Sequence, residues 1–167
     1  MKPIIRKCFV VAGLASLLSG LFALRAQPPW YAPPPNIPPP TTPDAQRNAL
    51  NNLRERVGWL QNATRTAGNF TDGVGLVWQQ FQYLRASYEG FTATLNPQQL
   101  ANGANELAEL SAGLDILQES FANYQNDVGG GRSANAALAE LCQVLRQASG
   151  VWLQELNKDC ARLGVGR

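Results

Sequence analysis

The chain has 167 residues, with 14 Lys and Arg, 12 Asp and Glu and no His, giving a formal net charge of +2. Because His is the commonest general base and metal ligand, its absence disfavours most enzyme classes, and we predict no catalytic, cofactor or metal site. Four of the bases and none of the acids lie in the first 26 residues, so the remainder has a net charge of −2. That remainder has no basic stripe, and we predict no nucleic-acid partner.

Residues 1–26 have the three parts of a secretory signal. A basic start is followed by an uncharged, mostly apolar run of 17 residues at 8–24 and by the small residue Ala26. Export machinery recognises this arrangement. As a helix the run would measure about 25 Å, which is short for a hydrocarbon core of about 30 Å. We predict export to the periplasm or extracellular space with cleavage. The alternative is a retained inner-membrane anchor, which would be the protein's contact with a membrane.

Residues 27–42 form a predicted proline-rich linker, because nine of the 11 prolines lie between Pro28 and Pro43. Proline fixes φ and lacks an N–H, so the segment favours an extended polyproline II chain over a helix or a sheet strand. The composition predicts a spacer. The alternative is a docking peptide in which Trp30 and Tyr31 contact a partner.

Residues 43–165 carry four patterns of apolar residues three and four positions apart, which is typical of helices that bury one face. The first pattern begins with Thr42-Pro43-Asp44, which offers a capping hydroxyl, a proline at the first helical position and an acid in the first turn. It fades at Gly68. Its apolar positions are Leu50, Leu53, Val57 and Leu60.

Two further helices are predicted in the middle of the chain. The second begins near Asp72, and we predict its end at Gly90, because the following sequence FTATL favours a strand over a helix. The third begins at Asn96–Gln99, whose side chains suit a reciprocal cap, and ends near Gly129. The apolar positions are Val74, Val77, Phe81, Leu84 and Tyr88 in the second helix and Leu100, Ala104, Leu107, Leu110, Leu114, Leu117, Phe121, Tyr124 and Val128 in the third.

The fourth predicted helix begins at Ser133, which we expect to cap it. Its apolar positions are Leu138, Leu141, Leu145, Trp152, Leu156, Cys160 and Leu163. Short connections make successive helices antiparallel. We therefore predict an all-α fold in residues 43–165, an up-down antiparallel helical bundle of about four helices whose last two form a long hairpin.

Cys142 and Cys160 are the two cysteines that remain once the signal is removed. Their separation of 18 residues corresponds to about 27 Å on one helix, whereas a disulfide needs Cα atoms within about 7 Å. In a continuous helix the two are core thiols or pair between molecules. If the chain turns back near Ser149-Gly150, they bridge a terminal hairpin. We favour the continuous helix, because Val151–Leu153 extends the helical pattern.

Trp78 and Tyr83 lie beside the apolar face of the second predicted helix. We expect partial burial of both against neighbouring helices. The alternative is an exposed aromatic patch that contacts a protein partner.

These observations predict a non-catalytic, exported protein of the cell envelope that acts as an interaction or scaffold module. We expect a protein partner in the envelope, together with self-association as a homo-oligomer. One alternative is a periplasmic carrier that holds an apolar small molecule between helices, through Phe81, Tyr88, Phe121 and Trp152. Another is a subunit of a surface appendage or secretion system.

Overall fold

The computed structural model describes residues 42–165. The five helices in this range are α1 (Pro43–Thr66), α2 (Gly73–Thr92), α3 (Pro97–Asn102), α4 (Ala104–Gly129) and α5 (Ala134–Arg162), and a 3₁₀ turn, Ala67–Asn69, follows α1. No strand occurs among the described residues, which confirms the all-α class. The predicted signal and the proline-rich residues 28–41, with Trp30 and Tyr31, lie outside the described range.

The starts of α1 and α2 confirm the sequence prediction. The Thr42 hydroxyl accepts a hydrogen bond from the Ala45 N–H at 3.2 Å, and the Asp72 carboxylate accepts one from the Gly75 N–H at 2.9 Å. Each bond satisfies an amide that has no partner within the first helical turn. The predicted apolar face of α1 is fully buried, with Leu50, Leu53, Val57 and Leu60 all at 0% exposure.

The predicted end of α2 at Gly90 is wrong, because the helix continues to Thr92. Phe91 is fully buried, and that burial outweighs the cost of about 1 kcal/mol for a glycine inside a helix. The Thr92 hydroxyl donates to the Glu89 carbonyl at 2.9 Å, and the Thr94 hydroxyl donates to the Phe91 carbonyl at 2.7 Å. The sequence FTATL is therefore the end of a helix and the turn after it, not a strand.

The third predicted helix is two helices, α3 and α4. Its reciprocal cap is confirmed: the Asn96 side chain accepts the Gln99 N–H at 2.8 Å, and the Gln99 side chain accepts the Asn96 N–H at 3.0 Å. α3 ends at Asn102, and Gly103 separates it from α4. A Cβ at position 103 would lie 2.7 Å from Leu163 Cδ2, so the glycine allows the C-terminal end of the described chain to pack closely.

The apolar face predicted for this region is buried only in its middle. Leu110, Leu114, Leu117 and Phe121 are buried. Leu107 and Tyr124 are half-buried, and the terminal positions Leu100, Ala104 and Val128 are exposed. The apolar pattern in the sequence therefore extends beyond the part of the helix that is buried against other helices.

α5 begins after Ser133, but the predicted side-chain cap is not formed. Ser133 accepts only through its backbone carbonyl, from the Ala137 N–H at 3.0 Å. The connection between α4 and α5 is held by Arg132, whose guanidinium lies 2.7 Å from the Asp127 carboxylate and 2.6 Å from the Glu140 carboxylate. The start of α5 is therefore held by two ion pairs across the turn and not by the predicted hydroxyl cap.

The long helices pack in two pairs, α1 with α2 and α4 with α5, and α1 also packs against α5. Arg54 Nε donates to Asn157 Oδ1 at 2.8 Å, and Gln61 Nε2 donates to Ser149 Oγ at 3.5 Å. Positions rise along α1 from 54 to 61 while their partners in α5 fall from 157 to 149. The first and last helices therefore run in opposite directions, side by side.

Candidate functional site

Trp78 and Tyr83, the two aromatic residues that the sequence singles out on α2, lie in different environments. Trp78 is half-buried, with its ring centroid 4.8 Å from that of Phe121 in an edge-to-face contact and 5.7 Å from that of Phe81. Tyr83 is 39% exposed. Trp78 therefore extends the core, and of the two only Tyr83 offers a surface to a partner.

The residues of the carrier hypothesis are packed inside the molecule. They are Phe81, Tyr88, Phe121 and Trp152, and all four are buried. The rings of Phe81 and Phe121 lie 5.5 Å apart and those of Tyr88 and Trp152 5.8 Å apart, between centroids. The Tyr88 hydroxyl donates to the Leu107 carbonyl at 2.7 Å, and the Trp152 indole donates to the Leu110 carbonyl at 2.8 Å. These side chains contact one another and the backbone of α4.

Both cysteines of the described region are free and buried on α5. The helix is continuous from Ala134 to Arg162, so the chain does not turn back near Ser149-Gly150. Burial raises the pKa of Cys142, and it raises the pKa of Cys160 to about 11. The thiolate is the reactive form of cysteine, so both side chains are poor nucleophiles at neutral pH.

A groove that the sequence patterns did not indicate lies on the surface of α1 and α2. Two large apolar side chains in it are mostly exposed, Trp59 at 59% and Phe70 at 56%. The groove has a volume of about 480 Å³. Its lining residues include Trp59, Asn62, Thr66, Phe70, Leu76 and Gln80, and we call it the Trp59 groove.

Local sequence accounts for both exposed rings. Trp59 lies two positions after Val57 on α1, off the spacing that defines the buried face. Phe70 follows the 3₁₀ turn and has an extended backbone. The chain then turns tightly, because a Cβ on Gly73 would lie only 2.2 Å from the Ala67 carbonyl oxygen. A glycine at this close approach keeps Phe70 in the groove beside α1.

Arg56 connects the Trp59 groove to Tyr83. Its guanidinium carbon lies 5.7 Å from the Trp59 ring centroid and 5.3 Å from the Tyr83 ring centroid. Cation–π attraction of this kind contributes about 0.5–1 kcal/mol at an exposed site. The Gln79 side-chain amide also donates to the Tyr83 hydroxyl at 3.4 Å. Tyr83 therefore belongs to the same surface as Trp59, with its ring held in place by neighbours.

Comparison with protein-family models, with curated proteins and with solved structures finds no match. Within residues 42–165, no cluster of acidic or sulfur side chains is arranged to hold a metal ion. None of the helices in that range combines the length and the apolar composition needed to span a bilayer. The Trp59 groove is therefore the candidate functional site of the described residues.

Gln80 adds a polar feature to the groove. Its Oε1 atom is buried and accepts no hydrogen bond from the described residues. Buried polar atoms in folded proteins nearly always have a partner, and an unpaired one costs about 1–3 kcal/mol. Because Oε1 is closed off from solvent, a bound molecule would reach this acceptor only after the Gln80 side chain turns outward.

Proposed function

We propose that this chain is an exported, non-catalytic interaction module of the cell envelope that self-associates and binds its protein partner through the Trp59 groove. The observation that carries the proposal is the exposure of Trp59 and Phe70 side by side on an otherwise well-packed protein. Single exposed apolar side chains are ordinary, whereas adjacent ones mark surfaces that another molecule covers.

The composition of this surface favours a protein partner. Trp, Tyr and Arg are enriched in the residues that contribute most to protein–protein binding, and Trp59, Tyr83 and Arg56 are one of each. Small-molecule sites, in contrast, are concave and enclose most of the ligand. The exposure of Trp59 and Phe70 supports an open docking surface over a carrier site, and the residues of the carrier hypothesis are core residues.

Export is part of the proposal and rests on residues 1–26, with their basic start, apolar run and small residue at the end. It places the protein in the periplasm or outside the cell, with a retained inner-membrane anchor as the alternative. The non-catalytic part rests on the absence of His from the sequence. No specific observation favours an appendage subunit.

The proposal is tested by sedimentation equilibrium of the protein in the form its host exports. We expect association that depends on concentration. Trp59→Ala and Phe70→Ala should each weaken it by at least about tenfold, the size expected for an aromatic side chain at the centre of an interface. Val151→Ala is the matched control, because Val151 is also apolar and 43% exposed but lies on α5, away from the groove.

Cross-linking in the native host, followed by mass spectrometry, identifies any envelope partner. A protein that is monomeric at every concentration and gives no specific cross-link would contradict the proposal. An equal effect of Val151→Ala and Trp59→Ala would show that association is nonspecific, and would also count against the groove.

A further inference from the structure

The Trp59 groove has the surface chemistry that recognises extended, proline-rich chains. The rings of Trp59 and Phe70 are exposed in it, and Tyr83 borders it through Arg56. Polyproline II segments dock on aromatic-lined grooves, and they lose little conformational entropy because the chain is already rigid. Trp59 also carries an indole N–H, and each proline keeps a carbonyl that accepts hydrogen bonds.

Polar side chains on the wall of the groove favour a segment that carries hydrogen-bond donors as well as prolines. Asn62, Thr66 and Gln80 line the groove and have oxygens that can accept hydrogen bonds, whereas proline has no backbone N–H to donate. The sequence of residues 28–41 interrupts its prolines with Trp30-Tyr31-Ala32, which has backbone N–H groups, an indole N–H and a hydroxyl. This one segment therefore combines rigid proline rings with hydrogen-bond donors for the polar side chains of the groove.

The length and position of the segment allow it to reach another molecule. Residues 28–41 precede Thr42, which caps α1. Their 14 residues would extend about 43 Å at about 3.1 Å per residue. The 24 residues of α1 measure about 36 Å at 1.5 Å per residue. Extended in this way, the segment would be longer than the helix that it precedes.

We infer that the Trp59 groove of one copy binds residues 28–41 of a second copy, whose own groove binds the segment of the first. Every copy carries both halves of the contact, so a reciprocal exchange gives a closed two-fold dimer without any other component. The two contacts reinforce each other, because formation of one makes the other intramolecular. The inference rests on the proposed function, since it names the partner and the segment that the groove binds.

A mixing experiment tests the exchange. Sedimentation equilibrium is measured for the wild-type protein in its exported form, for Trp59→Ala, for Trp30→Ala and for an equal mixture of the two variants. In each variant alone both contacts of the dimer are damaged, and we expect association to weaken by at least about tenfold. In the mixture, the intact segment of the Trp59→Ala copy meets the intact groove of the Trp30→Ala copy. The mixture should therefore associate more tightly than either variant alone.

Folding controls accompany the measurement. Trp59 is mostly exposed, so the circular dichroism spectrum of Trp59→Ala should match that of the wild type, as should that of the Val151→Ala control. Thermal unfolding of the three proteins should match at concentrations where the wild type is monomeric. If Trp30→Ala leaves the dimer intact, the inference fails while the proposed function stands. If both variants are monomeric and the mixture does not recover, the segment does not act between copies and the inference also fails. A monomeric wild type without any cross-linked partner overturns both proposals.

Discussion

At the scale of single residues, the Trp152 side chain of α5 leaves room only for a glycine at position 113 of α4. The Trp152 indole reaches across from α5 and donates to the Leu110 carbonyl of α4 at 2.8 Å. Its ring then occupies the space over Gly113, where a Cβ would lie 2.7 Å from Trp152 Cδ1. A glycine inside a helix costs about 1 kcal/mol relative to alanine. In α4 that cost is offset by the close approach of the buried indole.

We expect Gly113→Ala to lower the free energy of unfolding by about 1–3 kcal/mol, because the added methyl group overpacks the Trp152 contact. Gly90→Ala is the matched control, since Gly90 is also inside a helix but an added Cβ would meet nothing within 4 Å. The control should raise the free energy of unfolding by about 0.5–1 kcal/mol. Urea unfolding measures both values. Equal effects of the two substitutions would contradict this account of Gly113.

Between elements, a single carboxamide joins α1 both to the chain just before α3 and to α3 itself. Gln46 is only 7% exposed, and its Nε2 donates to the Thr94 carbonyl at 2.9 Å and to Gln99 Oε1 at 2.8 Å. Gln99 Oε1 also accepts the Asn96 N–H, so the cap of α3 and the start of α1 share one polar cluster. Since α3 has no buried residue of its own, this cluster positions the short helix.

We expect Gln46→Ala to destabilise the protein by about 1–3 kcal/mol, because it leaves the buried Thr94 carbonyl without its donor. Gln98→Ala is the control, because Gln98 is an exposed glutamine of α3 and its replacement should change stability by less than about 0.5 kcal/mol. Hydrogen exchange should also show faster opening of α3 in Gln46→Ala. Unchanged protection of α3 would show that the cluster does not position it.

Helix starts were predictable from sequence where the decisive contact is local. The caps at Thr42 and Asn96 bond to residues three positions away, so their spacing is visible in the sequence. Helix ends depend on contacts between distant residues. Gly103 breaks the third predicted helix beside Leu163, 60 positions later, and burial of Phe91 carries α2 past Gly90. The helix propensities of the neighbouring residues therefore do not predict where α2 and α3 end.

At the scale of the whole molecule, burial keeps Tyr88 and Cys160 protonated well above neutral pH. Burial, with a smaller contribution from the nearby Cys160, raises the pKa of Tyr88 from 10.0 to about 12. Burial likewise raises the pKa of Cys160 from 9.0 to about 11. In the unfolded chain both groups therefore lose their protons at lower pH than in the folded protein. Their contribution to stability is complete below about pH 9 and is lost as the pH rises towards 12.

We therefore expect the free energy of unfolding to fall steadily between about pH 9 and pH 12. Tyr88→Phe should show a shallower fall, because one of the buried titrating groups is gone. At neutral pH the same variant should be less stable, because it loses the hydrogen bond to the Leu107 carbonyl. Urea unfolding under reducing conditions at a series of pH values measures the slope. A flat profile up to about pH 11 in the wild type would contradict the prediction.

The residues of the Trp59 groove are harder to predict from the sequence than the residues of the core. Buried faces repeat at three and four positions, so periodicity finds Leu50 or Leu114 without a structure. Trp59 breaks that period and Phe70 lies in a connection, so neither belongs to a pattern. The position of Tyr83 beside the apolar face of α2 predicts partial burial, with a partner contact as the alternative. Its link to Trp59 depends on Arg56, which only the packing of α1 against α2 reveals.

The pairing of α1 with α5 has a consequence for how the chain is made. Arg54 bonds to Asn157, 103 positions later, and the buried face of α1 is covered partly by the last helix. During translation α1 leaves the ribosome well before α5, which covers part of its buried face. Contacts between residues so far apart in sequence form slowly, because bringing the ends of a long stretch of chain together costs entropy. The protein therefore cannot complete this part of its core until α5 has been synthesised.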